Sequence, residues 1–541
     1  MPALHSELSP CFLPDLLKNS ASHYPDRTAV DFLGAKTSFA DLWTQVRQLA
    51  TGLQAKGFQK GDRVGIMLPN CPGYLLFYFA TLLAGGVVVN INPLYSPHEL
   101  EHILSDSDPK FIVSLNLSQF VDKLKPLLGS RQLIVIPMDQ QLSLIQGLAF
   151  RLFKSKEVGD VPEGTLLISD FLHSHENFEP VEVDIKKDIA VLQYTGGTTG
   201  LSKAAMLSHA NLSINAAQCR AWLPDTANGK ECALAVIPFF HVFALTTLVN
   251  LSMMMGTTII ALPRFDLKQV LKTIHTKKPT IFPAVPTIYA AINGAKDIAE
   301  YNLKSINYCV SGGAPLPVDT KKEFERLTGC ILVEGYGLSE SSPVVCANPI
   351  NGVNKAGSIG IPFPQTTIEI VSLEDKTTPM KQGEKGELCM RGPQVMLGYW
   401  QKPLETADVL KDGLLHTGDV ATIDEDGYIF IVDRIKDMIL SGGYNVYPRA
   451  VEDAVYHNDA VEECVCAGIP DAYRGEIVKV WIKLKPNKSL TEAELKDFLK
   501  HYLSPIEMPK QIEFRDKPLP KTLIGKLSRK ALVEEETKKA N

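Results

Sequence analysis

"YTGGTTGLSKAAMLSH", Tyr194–His209, sets three glycines, three threonines, a serine and a lysine into the nine residues Thr195–Lys203. Such a stretch is poor material for a core and good material for wrapping an anion. Glycine-rich backbone can turn its N–H groups inward as a nest, and Lys203 adds a positive charge. The flanks locate it. "DIAVLQYT" before it alternates as a strand, and "HANLSINAAQ" after it reads as a helix. A hydroxyl-rich, lysine-bearing loop between strand and helix is a phosphate position in an α/β protein. It is not a P-loop: that motif needs G-x-x-x-x-G-K-[ST], and here Leu201 and Ser202 separate Gly200 from Lys203. It is not G-x-G-x-x-G either, which disfavours a dinucleotide fold. A flexible surface loop is the competing reading of the stretch taken alone.

Outward from the loop, short β-branched runs alternate with helical patterns over the first 430 or so residues. "RVGIML" (63–68), "GVVVNI" (86–91), "FIVSL" (111–115), "ALAVIP" (233–238) and "GTTIIAL" (256–262) read as strands. "FADLWTQVRQLATGLQAKG" (39–57) carries apolar residues at helical spacing. Alternation of this kind predicts α/β architecture with parallel-rich sheets flanked by helices. The segment 130–180 is the least regular and reads as an insertion. Between "GSIGIPFPQTTIEIV" (357–371) and "DGYIFIVDR" (426–434) strands and turns dominate, giving a β-rich subdomain. Past Asp433–Lys436 the composition changes, and helix, strand, strand follow. "LTEAELKDFLKHYL" (490–503) is a helix with Thr491 and Glu494 as its capping box. The expected organisation is a large N-terminal domain over 1–432, a hinge at 433–436 and a small α+β C-terminal domain over 437–541.

A chain of 541 residues is too long for one hydrophobic core. Net charge is −6, so a nucleic-acid role has no electrostatic support. Residues 433–541 carry 19 Lys/Arg against 18 Asp/Glu, so no basic domain hides in the average. The ten cysteines form no C-x-x-C, which argues against a zinc site or disulfide framework and for a reducing compartment. "MPALHSELSPCFLPDLLKNS" lacks a basic start followed by an apolar run, so no signal peptide is expected. Two apolar stretches invite a membrane reading. Gly85-Gly86 splits "YLLFYFATLLAGGVVV" (74–89) into helix, turn and strand. Pro238, His241 and Gly256 divide the charge-free run 232–263 into strand, short helix and strand. Its unbroken piece, Ala244–Met255, is shorter than the roughly 20 residues of a membrane span and reads as a buried helix or pocket wall. No amphipathic anchor stands out.

Four further motifs carry polar chemistry. In "EGYGLSES" (334–341) Tyr336 can stack on a base and Glu340 can bind Mg²⁺, a hard cation that prefers oxygen ligands. A tight turn with a solvated Glu reads equally well. "SGGAPL" (311–316) ends a strand in glycines that admit a ligand close to backbone. In "HTGDVATIDEDGYIFIVDRIKDMILSGGYNVYP" (416–448), Asp419 is suited to a pair of ribose hydroxyls, and Gly442-Gly443 would let a thin chain pass. Salt-bridged turns are the alternative there. In "PLPKTLIGKLSRKAL" (518–532), Lys521 and Lys526 sit among prolines and a glycine. A lysine on such a loop can visit a site and stabilise phosphoryl charge, or simply belong to a solvated basic tail.

In this order the motifs resemble the adenylate-forming superfamily of acyl-CoA synthetases, luciferases and peptide-synthetase adenylation domains, over nearly the whole chain. "NPLYSPHELEHILSDSDPK", "GELCMRGPQVMLGYW" and the 416–448 stretch look most like bacterial long-chain fatty-acyl-CoA synthetases. The resemblance implies ATP as the anion and a two-step reaction: fatty acid plus ATP to acyl-AMP and pyrophosphate, then acyl transfer to CoA. It implies that Thr195, Gly196, Gly197, Thr198, Thr199, Gly200 and Lys203 hold the phosphates, with Thr198 assisting catalysis and Thr195 and Glu340 holding Mg²⁺. Gly312, Gly313, Ala314, Glu334, Gly335, Tyr336, Gly337 and Ser339 would frame the nucleotide. Asp419 would take the ribose with Arg434 nearby. Lys526 would drive adenylation. Lys436 would be the hinge about which a mobile C-terminal domain rotates to bring Ser441, Gly442 and Gly443 to CoA. Phe240 and His241, in "PFFHVFAL", would border the acyl pocket; a core histidine is the rival reading of His241. Ser339 stands where the family usually has Thr, and Leu414 where long-chain members usually have Trp. The partners implied are fatty acid, ATP and CoA, with peripheral contact at the cytoplasmic face of the inner membrane and homodimers both known in the family. The rivals are a medium-chain or aryl-acid CoA ligase, an acyl-AMP ligase loading a carrier protein, and a non-enzymatic sensor. A sensor should have lost Lys203, Glu340 or Lys526, and all three are present.

Overall fold

The computed structural model describes residues 8–172, 178–195, 202–471, 473–521 and 527–540. The chain divides into two compact units, Met1–Thr367 with Arg391–Gly413, and Ile368–Met390 with Leu414–Asn541.

The first unit is built on parallel strands. A seven-stranded sheet runs in the order Leu166–Leu167, Gln132–Ile136, Phe111–Leu115, Arg63–Met67, Val87–Asn90, Ile189–Tyr194 and Ala204–Ser208. All its pairings are parallel except the last, between Ile189–Tyr194 and Ala204–Ser208. Central strands such as Val87–Asn90 are buried at every position, as expected when helices cover both faces. The segment read as irregular, 130–180, supplies two strands of this sheet, Gln132–Ile136 and Leu166–Leu167, so it begins inside the fold. A second sheet orders Cys232–Ala235, Thr258–Ala261, Thr28–Phe32 and Ala35–Ser38. A third orders Tyr308–Ser311, Ile331–Gly337, Val344–Ala347 and Ile361–Pro362. Single bridges through Ile281 to Ala233 and Tyr308 link the second to the third.

The expected helices form for local reasons. Phe39–Ala55 is capped by Ser38, whose hydroxyl accepts from the Asp41 N–H at 3.0 Å, and buries Phe39, Leu42, Val46, Leu49 and Leu53 on one face. Pro72–Leu83 follows Cys71 with proline at its start and is buried almost all round, and Gly85 at φ +75° turns the chain into Val87–Asn90. In the charge-free run, Val242–Met255 is helical throughout, with a wider π turn at Leu245–Asn250, and lies buried. Among the described residues no helix is long and apolar enough to cross a membrane.

The second unit holds two sheets. In one, Gly386–Arg391 lies between Thr367–Val371 and Leu414–Ile423, which also pairs antiparallel with Ile429–Arg434. The other orders Tyr444–Val446, Ile439–Ser441, Gly475–Leu484 and Val461–Asp471, with Gln511–Phe514 parallel to Gly475–Leu484. Helices Pro448–Tyr456 and Glu492–Leu499 close its core through Val451, Val455, Leu495 and Leu499 against Val480 and Ile482. The capping box read from sequence is present: the Thr491 hydroxyl accepts from the Glu494 N–H, and Glu494 accepts from the Thr491 N–H.

Candidate active site

The glycine- and threonine-rich loop springs from the end of Ile189–Tyr194 and returns as Ala204–Ser208. Gly196, Gly197, Thr198, Thr199 and Gly200 lie outside the described residues, as does Lys526. The stem of the loop is closed by two hydrogen bonds: the Thr195 N–H and hydroxyl donate to the Lys203 carbonyl at 2.9 and 3.3 Å. Helix Pro97–Ser107 braces the stem from one side. His102 Nε2 lies 2.9 Å from the Ser202 carbonyl, and the Tyr194 hydroxyl donates to Asp106 at 2.6 Å. Burial first, then the Asp106 carboxylate, pushes the Tyr194 hydroxyl well above its ordinary value, so it stays a donor.

From the stem, contact runs to Glu340 through a residue that the sequence did not single out. The Lys203 ammonium sits 5.2 Å above the ring of Tyr399, a cation–π distance. The Tyr399 hydroxyl donates to Glu340 Oε1 at 2.7 Å. Burial, and then the neighbouring carboxylate, raises that hydroxyl far above the usual phenol, so the proton stays on the ring oxygen. The backbone repeats the link: the Met396 N–H donates to the Glu340 carbonyl at 2.8 Å, and the Met206 N–H to Gly398 at 2.8 Å. Thr195, Lys203 and Glu340 are thereby joined through Tyr399.

The two glycine motifs end adjacent parallel strands, where Ser311 is in register with Glu334. Gly313 has φ +81°. A Cβ on Gly312 would lie 3.2 Å from Phe243, and one on Gly335 would lie 3.3 Å from Val310. A Cβ on Gly337 would fall 1.9 Å from the Pro343 carbonyl oxygen, so only glycine fits there. Buried Glu334 accepts from the Leu316 N–H at 3.2 Å and so ties the loop that carries Ala314 to its neighbour strand. Tyr336 is half-buried, opposite Cys346, and Ser339 opens the short turn that bears Glu340.

Phe240 and His241 are pinned to the strand that carries the loop. Gln193 Nε2 donates to the Phe240 carbonyl at 3.1 Å, and Asn90 Nδ2 donates to Gln193 Oε1 at 2.9 Å. The Tyr74 hydroxyl lies 2.8 Å from Asn90 Oδ1 and 3.0 Å from the Phe239 carbonyl. A buried network of this kind fixes backbone position tightly. His241 caps the following helix: its Nδ1 accepts from the Phe243 N–H at 3.3 Å.

In the second unit, Asp419 is 2% exposed, and its Oδ1 lies 3.0 Å from Arg434 Nε. A brace holds the turn before it. Glu387 Oε1 accepts from the Gly418 N–H at 3.0 Å, and its Oε2 lies 3.0 Å from His416 Nδ1. Cys389 Sγ is 3.3 Å from the same nitrogen. Among the described residues, Glu387, Cys389 and His416 are the one buried set of donors suited to a cation by type. Both carboxylate oxygens are already engaged in hydrogen bonds, which makes the set a brace. Leu414 is buried in a small core with Val371 and Cys389. Lys436 lies in the short turn Ile435–Asp437. Next to it, Arg529 bonds Asp437 and Glu452, each at 2.8 Å. Ser441, Gly442 and Gly443 form the end of a hairpin in which Ser441 faces Tyr444. Both glycines have positive φ, +59° and +84°, as a two-residue hairpin turn requires. The turn alone accounts for them.

The sequence pattern of the AMP-binding enzymes matches residues 17–400, and that of the AMP-binding enzyme C-terminal domain matches 450–526. A long-chain-fatty-acid–CoA ligase of Bacillus subtilis (strain 168) is 46% identical over 531 residues, covering 97% of this chain and 94% of that one. A feruloyl-CoA synthase of an Amycolatopsis species is 36% identical, covering 93% and 94%. The crystal structure of ATP-bound MatB from Rhodopseudomonas palustris superposes with a TM-score of 0.85 at 28% identity, covering 98% of this chain and 100% of that one.

Proposed function

The chain belongs to the AMP-binding enzyme family, and from that premise we propose that it is a long-chain fatty acid–CoA ligase of the AMP-forming kind. ATP and CoA are its cosubstrates. A carboxylate resists nucleophiles because its own charge repels them and oxide is a bad leaving group. Attack of the fatty carboxylate on the α-phosphorus of ATP makes acyl-AMP and releases pyrophosphate. The CoA thiol then displaces AMP from the acyl carbon.

Each proposed role rests on a feature of the site. The closed stem at Thr195–Lys203 supports a loop that wraps the β- and γ-phosphates, with Lys203 held in place over Tyr399. Glu340 offers carboxylate oxygen and Thr195 a hydroxyl, hard donors of the kind Mg²⁺ takes in company with phosphate. When bound there, Mg²⁺ would neutralise charge spread over the triphosphate. Gly312, Gly313 and Tyr336, at the ends of neighbouring strands, suit the adenine. Buried Asp419, held by Arg434, suits two ribose hydroxyls. Phe240 and His241, anchored on the loop's own strand, suit the carboxylate end of the acyl pocket, with buried Val242–Met255 as its wall. Lys526, Lys436 and Ser441–Gly443 keep the adenylation, hinge and CoA roles that the family resemblance gives them. A hinge at 433–436 would let one small domain serve both half-reactions and exclude water from acyl-AMP. Ten free cysteines support a reducing, cytoplasmic setting, with peripheral membrane contact and a homodimer as further elements of the proposal.

The observation that carries the reading is the joining of Thr195, Lys203 and Glu340 through Tyr399, in a chain that shares nearly its whole length with a long-chain ligase. The feruloyl-CoA synthase likeness keeps an aryl acid as the second reading. The higher identity to the long-chain ligase, 46% against 36%, favours the first. The test is CoA-thioester formation with ATP and Mg²⁺ across free acids from C2 to C20 and cinnamate-type acids, reading AMP and acyl-AMP together. A maximum at C12 to C18 with AMP released is expected. Preference for cinnamates would move the substrate to aryl acids, and acyl-AMP without thioester would point to a carrier-protein acceptor.

A further inference from the structure

Helix Pro97–Ser107 is anchored along its whole length. At its start, the Ser96 hydroxyl accepts from the Glu99 N–H at 3.3 Å, and Glu99 accepts from the Ser96 N–H at 2.8 Å. In its last turn, Arg131 Nη2 donates to the Leu104 carbonyl at 2.9 Å and Arg63 Nε to the Ser107 carbonyl at 2.7 Å. Leu100, Ile103 and Leu104 are buried and fix its rotation.

This platform presents two polar residues four apart, His102 and Asp106, which share one face. Between them they reach three separate stretches of chain. His102 Nε2 lies 2.9 Å from the Ser202 carbonyl. A carbonyl oxygen only accepts, so Nε2 carries a proton and donates. Asp106 Oδ2 accepts from the Tyr194 hydroxyl at 2.6 Å, and the Asp106 carbonyl accepts from Trp400 Nε1 at 3.1 Å. Tyr194 leads into the glycine-rich loop, Ser202 leads out of it, and Trp400 follows Tyr399. The sequence neighbours of these three are Thr195, Lys203 and Tyr399, the residues joined at the site. A merely architectural role leaves the His102 bond unexplained. The helix is already seated by its apolar side chains, and Ser202 belongs to no helix or strand.

We propose that His102 and Asp106 are positioning residues for adenylation. They fix Ser202 and Tyr194, and through them hold the Thr195 hydroxyl and the Lys203 ammonium against the triphosphate of ATP. The proposal rests on the ATP reading of the loop given above. Groups held from a helix keep a tighter geometry than groups held by a loop alone. The β- and γ-phosphates leave as pyrophosphate, so the two residues serve the first half-reaction and not the second.

The test is ATP–pyrophosphate exchange by the full chain, with thioester formation from supplied acyl-AMP as reference. His102→Phe keeps a ring and loses the N–H. It should raise the KM for ATP and for pyrophosphate together by about three- to tenfold, the worth of one hydrogen bond. His102→Gln restores a donor and should recover most of that loss. Asp106→Ala should shift both constants in the same direction as His102→Phe. Inhibition by AMP and the KM for CoA should stay as in wild type, because neither involves a β- or γ-phosphate. Unchanged constants for ATP and pyrophosphate in both His102→Phe and Asp106→Ala overturn the proposal and leave the ATP reading intact. So does a loss that spreads equally to AMP binding and thioester formation, or one that His102→Gln does not recover, since each marks a general structural defect. A wild-type chain with no exchange for any fatty or cinnamate-type acid overturns the ATP reading itself, and the proposal with it.

Discussion

Arg434 stands directly opposite Asp419 in the register of their hairpin, and its Nε lies 3.0 Å from Asp419 Oδ1. The guanidinium compensates a carboxylate that is otherwise shut away from water. Charged hydrogen bonds of this sort contribute about 1.5–3 kcal/mol. Asp419→Asn is therefore expected to raise the KM for ATP by about 10- to 100-fold in ATP–pyrophosphate exchange, with a smaller effect on the KM for fatty acid. An unchanged KM for ATP would remove Asp419 from the ribose role.

Glu387 holds the turn that precedes Asp419. Glu387→Gln should shift the KM for ATP in the same direction as Asp419→Asn. The two changes should be strongly non-additive in a double-mutant cycle, because one acts through the other. Full additivity would mean that the brace serves stability alone.

Tyr399→Phe keeps the ring under Lys203 and removes the hydroxyl on Glu340. The expected result is a higher Mg²⁺ requirement and a fall of about tenfold or more in kcat/KM for adenylation, the worth of one hydrogen bond to a charged group. Tyr399→Ala removes the platform too and should cost more. Equal losses in the two variants would show that the ring under Lys203 contributes nothing, and an unimpaired Tyr399→Phe would show the same of the hydroxyl.

Lys526→Ala should slow acyl-AMP formation by about 10²–10³-fold or more, the size of a lost electrostatic donor in a transition state. Thioester formation from supplied acyl-AMP should continue almost unimpaired. Parallel loss of both half-reactions would break the proposed division of labour.

His209, at the start of helix His209–Ala221, is 1% exposed. Burial drives its imidazole down to about 3, only partly opposed by Asp188. The folded state therefore binds this proton less readily than the unfolded state. The stability it confers is complete above the ordinary imidazole value and is lost as pH falls from there toward 3, at about 1.4 kcal/mol per pH unit. Denaturant unfolding between pH 7 and 4 should show that slope in wild type and a flatter one in His209→Gln.

Where side-chain spacing sets local structure, the sequence was readable. Helix 39–57, strand 111–115 and the Thr491–Glu494 box follow from periodicity and capping alone, and each lies where it was expected. The irregular look of 130–180 misled because its two strands are short and sit at one end of a sheet ordered by distant partners. Tyr399 escaped notice for a related reason. It carries no charge, sits in a stretch notable only for family likeness, and gains meaning from Lys203 and Glu340, both far away in sequence.

The return of Arg391–Gly413 to the first unit imposes an order on biosynthesis. Tyr399 is translated 59 residues after the Glu340 it must reach, and part of the other unit is made in between. At ~5–20 residues per second a ribosome would need about 3–12 s to supply it. A nascent chain stalled near residue 390 would carry the loop, the lysine and the glutamate with nothing to join them. Premature termination there would yield a fragment that is folded in large part and chemically mute.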